Sequence, residues 1–231
     1  MKNILQQYMK NRFQATEDPK KKFPGPVVTI SRECGCTAIN IAEALGAKLT
    51  QITGEEWHVL TKEILEEAAQ KLELHPKQIE YVFESKEKST WDEVFSAMAS
   101  KYYKSDKQIK KTIADVVQAI AQRGNCVIVG RGGVILTHDI EKSLHIKLQA
   151  PLDWRAKQLQ KKYGGKLSDM KLYAQSIDDK REILRNFFHK KPLKLSHFDL
   201  VFNSMNLSDE IITQTCIEVL KAKKIIKLKR E

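Results

Sequence analysis

The sequence predicts an α/β fold: a three-layer arrangement with a mostly parallel five-stranded sheet and helices on both faces. Three observations predict it. Short apolar runs alternate with amphipathic helical periods from residue 27 to the end of the 231-residue chain, the pattern of right-handed crossover units. The first run, VVTIS, is almost continuously apolar, as a strand buried on both faces should be. It breaks into a polar, glycine-containing turn and then a helix, VVTISRECGCTAINIAEALGAKL. That is the layout of a loop whose backbone N–H groups cradle a phosphate.

Each element follows in order. Residues 1–13 read as a short amphipathic helix, with Ile4, Leu5, Tyr8, Met9 and Phe13 near helical spacing. Residues 14–26 carry Asp18-Pro19, three lysines and Pro24-Gly25-Pro26, a linker composition. The expected organisation is therefore an N-terminal helix and linker over 1–25 and one domain over 26–231. Strand one spans Val27 to Ser31, and the next helix buries Ile41, Ala42, Leu45 and Leu49 on one face. Thr50–Thr53 reads as a short second strand.

Residues 55–104 read as a charged helical insert, with one stripe at Leu60, Ile64, Leu65, Ala68 and Leu72. His75-Pro76 interrupts it; Ile79, Val82 and Phe83 begin a second helix, and Trp91, Val94, Phe95 and Met98 a third. These stripes are core packing or, on a sharper reading, a lid over an acceptor pocket. A helix over 106–123 places Ile109, Ile113, Val116, Val117 and Ile120 on one side, and Gly124 ends it. NCVIVG (Asn125 to Gly130) and LHIKL (Leu144 to Leu148) are strands. Pro151 opens the following helix in its first turn. Helices over about 152–163 and 168–189 form a basic pair, and FDLVFN (Phe198 to Asn203) is the last strand. Ser208 caps the closing helix, with Asp209 and Glu210 favourable to its dipole. The basic tail KAKKIIKLKRE reads as a solvated helix end.

Ligands in such sheets bind at the carboxyl ends of the strands. Those ends are Ser31–Thr37, Gly130–Gly133, Ala150 and Asn203–Ser204. The net charge of +11 (40 basic against 29 acidic residues) favours an anionic partner. The basic residues are dispersed and aromatics are 7% of the chain, which disfavours a nucleic-acid stacking platform. No secretory apolar segment and no run long enough to span a bilayer is evident, so a reduced, cytoplasmic location is expected. Oligomeric state leaves no trace in the sequence.

Cys126 and Cys216 sit in apolar patterns as small hydrophobes. Cys34-x-Cys36 has no second pair, which argues against zinc. A reactive thiol there is the sharper expectation, because a helix N-terminus lowers a thiol pKa. His58, His138, His145, His189 and His197 show no metal-ligand spacing, and no metal site is expected.

Phosphoryl transfer needs positive charge and N–H donors around the phosphates more than covalent help. The turn Gly35–Asn40 can supply donors: Gly35 permits close approach or a positive φ, and Thr37 and Asn40 can add side-chain contacts. The plainer alternative is a helix start simply capped by Thr37. Arg131, directly after NCVIVG, can hold a phosphate through paired bonds, with Gly132-Gly133 admitting a ligand to the backbone. Arg155, Lys180, Arg181 and Arg185 cluster on the helical pair, where they suit either a lid closing on phosphates or a solvated basic face. Asp178 and Asp179 are available to pair with them.

These segments together resemble the cytidylate-kinase-like family of P-loop kinases, whose first strand and loop read ITISR-x-x-G-S-G-G-R-x-I-A-x-x-L-A. CVIVGRGG is similar to the family's strand and G-R-G, and IDDKREILRNFF to its D-x-x-R lid segment. LHIKLQAPLDWRAKQL and FDLVFNSMNLS match its two closing strand regions. The likeness covers roughly residues 26–220. It implies a nucleoside-monophosphate-kinase fold, a helical acceptor insert at about 55–104, a lid at about 152–189, and ATP and magnesium as cofactors. It places Ser31, Arg32, Gly35, Cys36, Thr37, Ala38, Ile39 and Asn40 in the phosphate loop. It places Arg131, Gly132, Arg155, Lys180, Arg181 and Arg185 around the acceptor and lid, with Arg32, Arg155 and Arg181 as catalytic cations.

The loop departs from the family. Ala38-Ile39 stands where true cytidylate kinases have Lys-Ser/Thr, and Gly132 stands where their G-R-D has its acid. Arg32 is the candidate substitute cation. Two readings follow: an ATP-dependent kinase acting on a nucleoside monophosphate or similar acceptor, or an inactive relative that binds a nucleotide or another anion.

Overall fold

The structure, a computed structural model, describes residues 25–61, 106–189 and 193–229. The N-terminal helix assigned to residues 1–13, most of the insert, and the last two residues lie outside the described residues.

Among the described residues, five parallel strands form one sheet: β1 (Val27–Arg32), β2 (His58–Leu60), β3 (Cys126–Val129), β4 (Ser143–Gln149) and β5 (Leu200–Asn203). Their order across it is β2-β3-β1-β4-β5. Val27 pairs with Cys126 on one side and Ser143 on the other, so β1 is central. The helices are α1 (Ala38–Thr53), α2 (Asp106–Arg123), α3 (Gly133–Leu136), α4 (Leu152–Tyr163), α5 (Leu167–Phe188) and α6 (Asp209–Ala222).

Strand alternation divides the core in two. Val28 and Ile30 of β1 and Val127 and Val129 of β3 pack with Ile41, Leu45 and Leu49 of α1 and Ile212, Cys216 and Leu220 of α6. Val27, Cys126 and Ile128 face Ile113, Val116, Val117 and Ile120 of α2. A third, smaller cluster joins Cys34 of the first loop to Leu159 of α4 and Ala174 of α5. It docks the basic helical pair at the carboxyl end of β1.

Several expectations change. Thr50–Thr53 is the last turn of α1 and not a strand. The Thr50 and Thr53 hydroxyls are satisfied by the carbonyls of Gly46 (3.0 Å) and Leu49 (2.7 Å), and Leu49 and Ile52 pack on the core along this turn. Gly54 then ends it with φ 71°. The second strand is His58–Leu60, inside the stretch read as helical, so Leu60 is a strand residue. Pro151 is the N-cap residue of α4, one position outside the helix. The basic tail is not simply solvated: Ile225 and Ile226 are buried, and the Lys229 N–H donates to Ile52 O at 2.9 Å. The α2 bounds, the stop at Gly124 and the Ser208 cap, which accepts from the Ile211 N–H at 3.3 Å, follow the sequence reading.

A candidate anion site beside the loop after the first strand

The turn after β1 is pinched. The Cys36 N–H donates to Glu33 O (3.2 Å) and the Ala38 N–H to Cys36 O (3.0 Å). Thr37, with φ −82° and ψ 52°, is the corner of an inverse γ-turn. Its hydroxyl does not cap α1; it donates to Asp209 Oδ1 at 2.7 Å. Ala38 is buried in the core, whereas Ile39 is 50% exposed and Asn40 faces solvent.

The loop also meets acidic and basic side chains from far along the chain. The Cys34 N–H donates to Asp178 Oδ1 at 2.7 Å. Arg155 donates from Nη1 to Cys34 O (3.0 Å) and to Asp178 Oδ2 (2.8 Å), and from Nε to Ala150 O (2.9 Å). Its Nε is also 3.3 Å from Glu33 Oε2, which accepts the Ala150 N–H at 3.1 Å. Arg155 is therefore buried and committed to the protein. Gly35 has φ +97°, as a positive-φ turn requires, but its missing Cβ makes room for α4: a Cβ there would lie 2.8 Å from Arg155 O.

A cavity of about 280 Å³ opens on the other side of Arg32. Its floor is Ser31 and the backbone of Gly130–Gly132, and five cations line it: Arg32, Arg131, Lys180, Arg181 and Arg185. Ile177 and Leu184 add an apolar wall. Arg181 is held by a hydrogen bond from Nη1 to Arg32 O at 3.0 Å and a 3.4 Å contact with Asp178 Oδ1. Burial, then the positive charges of Arg181 and Arg131, pull the Arg32 guanidinium down to about 9. Burial also lowers Arg185. Both remain charged at neutral pH. Crowded, partly desolvated guanidiniums of this kind are relieved by a bound anion.

The structure thus gathers Ser31, Arg32, Arg131, Gly132, Lys180, Arg181 and Arg185 around one space. It leaves Arg155 and the turn residues 35–40 outside the lining. The glycines are filled by the protein itself: a Cβ on Gly132 would meet the Phe188 ring at 2.6 Å, and one on Gly133 would meet Thr29 and Ile128 at 3.3 Å. Gly132 still lines the cavity beside Arg131, whereas Gly133 is outside the lining. The reactive-thiol expectation also changes, because burial pushes both the Cys34 and Cys36 thiols up. Sequence reasoning missed Glu33, Ile177 and Leu184, and saw Asp178 only as a partner for cations. An acid next to Arg32 was the available signal for Glu33.

Among the described residues, no three or more His, Cys, Asp or Glu side chains cluster as a metal site. The buried His145 uses both ring nitrogens, with Thr29 Oγ1 at 2.8 Å and Ser143 Oγ at 3.1 Å. No helix among those residues is long and apolar enough to cross a membrane.

Comparison with known proteins fixes the relationship. The sequence model of the cytidylate kinase-like family matches residues 27–206, which include the loop, the cavity floor and the helical pair. The chain belongs to the cytidylate kinase-like family. A crystal structure of an uncharacterised protein from Eubacterium ventriosum has the same fold, with TM-score 0.60 and 15% identity over 85% of this chain and 98% of that one. A shikimate kinase from Acinetobacter baumannii in complex with shikimate aligns with TM-score 0.49 and 13% identity, over 87% and 95%. A 130-residue stretch is 27% identical to a uronate isomerase of Corynebacterium glutamicum. That stretch is 55% of this chain and spans 24% of the isomerase. This cytidylate kinase-like chain has a five-cation cavity beside the loop after β1, and the Cys34 amide of that loop is bonded to Asp178.

Proposed function

We propose that the protein binds a phosphorylated small molecule, a nucleoside monophosphate or a comparable anion, in the five-cation cavity and holds it without phosphoryl transfer from ATP. One juxtaposition carries this reading. The cavity is rich in cations, while the adjoining loop has its Cys34 amide bonded to Asp178.

The residues present do not fit a magnesium–ATP donor in the loop. The family's loop cation and magnesium-binding hydroxyl fall at Ala38 and Ile39, one buried in the core and the other apolar. The nearest hydroxyl, on Thr37, is bonded to Asp209. A missing loop cation commonly costs orders of magnitude in rate.

On this reading Arg32, Arg131 and Arg181 fork onto the phosphate. Lys180 and Arg185 add charge from α5, and Ile177 and Leu184 take an apolar part of the ligand. The pair α4–α5 acts as the lid over residues 152–189, and the insert, beyond strand β2 and up to about residue 104, would complete the acceptor side of the domain at 26–231. A second reading keeps the kinase activity, with Arg32 as the substitute loop cation. It is favoured by the position of Arg32 at the carboxyl end of β1, in the same cavity as Arg131 and Arg181.

Thermal unfolding with CMP, dCMP and ATP–magnesium, alongside an assay for ADP release, separates the two. The first reading expects stabilisation by a monophosphate alone and no ADP. Acceptor-dependent ADP release that disappears in Arg32→Ala would establish the second. Absence of any shift with nucleotide or phosphate would remove both.

A further inference from the structure

The loop that should receive an anion already contains one. Asp178 comes from the middle of α5, yet both of its carboxylate oxygens are engaged at the loop. Oδ1 accepts the Cys34 N–H at 2.7 Å and lies 3.4 Å from Arg181 Nη1; Oδ2 accepts from Arg155 Nη1 at 2.8 Å. A backbone amide and two guanidiniums around two oxygens form the donor set a phosphate or carboxylate ligand would use. The other side of the loop is closed too, since Gly35 lies directly against the α4 backbone at Arg155.

We propose that Asp178 is a built-in occupant of the phosphate loop and a specificity-determining residue. Its carboxylate fills the loop's anion position, excludes a second phosphate group there, and restricts the protein to the anion held in the neighbouring cavity. The same side chain steadies Arg181, which lines that cavity, so Asp178 connects the two places. The occupancy of the loop stands on its own geometry; the restriction to the cavity's anion rests on the function proposed above.

The test is chemical rescue in the full-length chain. Asp178→Ala opens the position and leaves the Cys34 amide and Arg155 Nη1 without their carboxylate acceptor, while Glu33 stays beside Arg155 Nε. Its melting temperature is expected to fall and to recover with added acetate, formate or inorganic phosphate, while acetate leaves the wild type unmoved. Pyrophosphate is expected to bind Asp178→Ala at least tenfold more tightly than the wild type. The Cys34 amide resonance should move with acetate in Asp178→Ala only. Asp178→Asn fills the same volume, so it should be destabilised without being rescued by acetate.

Equal acetate response in Asp178→Ala and Asp178→Asn, or no rescue and no movement of the Cys34 amide, would overturn the proposal. If Asp178→Ala does not fold without added anion, failure of phosphate and acetate to restore folding has the same meaning. CMP binding to the wild type is measured in parallel. Its loss with rescue intact counts against the cavity reading alone, and binding without rescue counts against the filled loop alone.

Discussion

Cys34 and Asp178, 144 positions apart, are joined by a 2.7 Å hydrogen bond from the Cys34 amide to the carboxylate. Arg155 closes the unit by bonding both the Cys34 carbonyl and the other oxygen of Asp178. Loop, α4 and α5 therefore share one polar core, and its members stand or fall together.

Arg155→Met leaves Asp178 and Glu33 without their buried counter-charge. Their side chains are 25% and 31% exposed, so water relieves part of the penalty. The expected loss is about 3 kcal/mol, the lower end for breaking a buried pair from one side. Arg155→Lys should recover less than half of it, because an ammonium cannot reach Ala150 O, Cys34 O and both carboxylates in one planar fork. Urea unfolding midpoints measure both losses. An Arg155→Met protein as stable as the wild type would show that the cluster is not coupled to folding.

Gly35→Ala should be more damaging than Gly54→Ala. Both positions have positive φ, at 97° and 71°, and each substitution costs roughly 1–3 kcal/mol in backbone strain. At Gly35 the new methyl also meets a backbone, with Arg155 O at 2.8 Å, whereas at Gly54 it meets only the flexible Lys229 side chain at 3.3 Å. Thermal unfolding of the two variants should therefore rank them clearly. Equal losses would mean that α4 does not press on the loop.

How far the sequence could be read depends on how local each determinant is. Ser208, Gly124 and the α2 stripe act within a turn or two of the chain, and each was legible. Thr50–Thr53 was misread because tertiary packing outweighs its β-branched preference: Leu49 is buried and Ile52 packs on the same core, which continues α1 through this stretch. His58–Leu60 was missed because three residues carry too little periodicity, and its pairing with Cys126–Ile128 of β3 is set by a partner far along the chain. The cations of the site were visible as residue types. Their division into a committed Arg155 and a cavity-facing Arg185 was not, because it depends on which carboxylate the fold delivers to which guanidinium.

Arg185→Ala should weaken binding of a phosphate monoester by about tenfold to a hundredfold, the worth of one charge-assisted hydrogen bond. The salt dependence of binding should decrease with it. Burial disfavours the Arg185 charge by more than Glu182 and Asp178 favour it, so its removal is expected to leave the unfolding midpoint unchanged or raised. Calorimetric titration with CMP at two salt concentrations, paired with urea unfolding, reads both quantities. Unchanged affinity would remove α5 from the binding surface.

Stability should fall between neutral pH and pH 5 because of His145. Burial holds its imidazole at about 4, against 6.5 for a free one. Between those values the unfolded chain binds a proton that the folded chain refuses, so acid favours unfolding there. The linkage amounts to about 2 kcal/mol lost between pH 7.5 and pH 5. His145→Asn removes the titrating group and should flatten that part of the curve, at the cost of rearranged bonds to Thr29 and Ser143. Urea midpoints across this pH range test it, and an equally steep slope in His145→Asn would assign the acid sensitivity elsewhere.

Restoring the family's loop residues should not restore ATP turnover. Ala38 is 2% exposed and packs in the core with the apolar face of α1, so Ala38→Lys directs an ammonium into an apolar site. The expected cost is several kcal/mol, partly avoided if the long side chain bends toward water. Ile39→Ser is different: its side chain is half exposed, and the change should alter stability by no more than about 0.5 kcal/mol. Neither substitution moves the Asp178 carboxylate from the Cys34 amide. The double variant is therefore expected to be less stable than the wild type and to release no ADP above it. Acceptor-dependent ADP release from that variant, with Asp178 still in place, would show that residue types at 38 and 39, rather than the filled loop, had been the barrier to transfer.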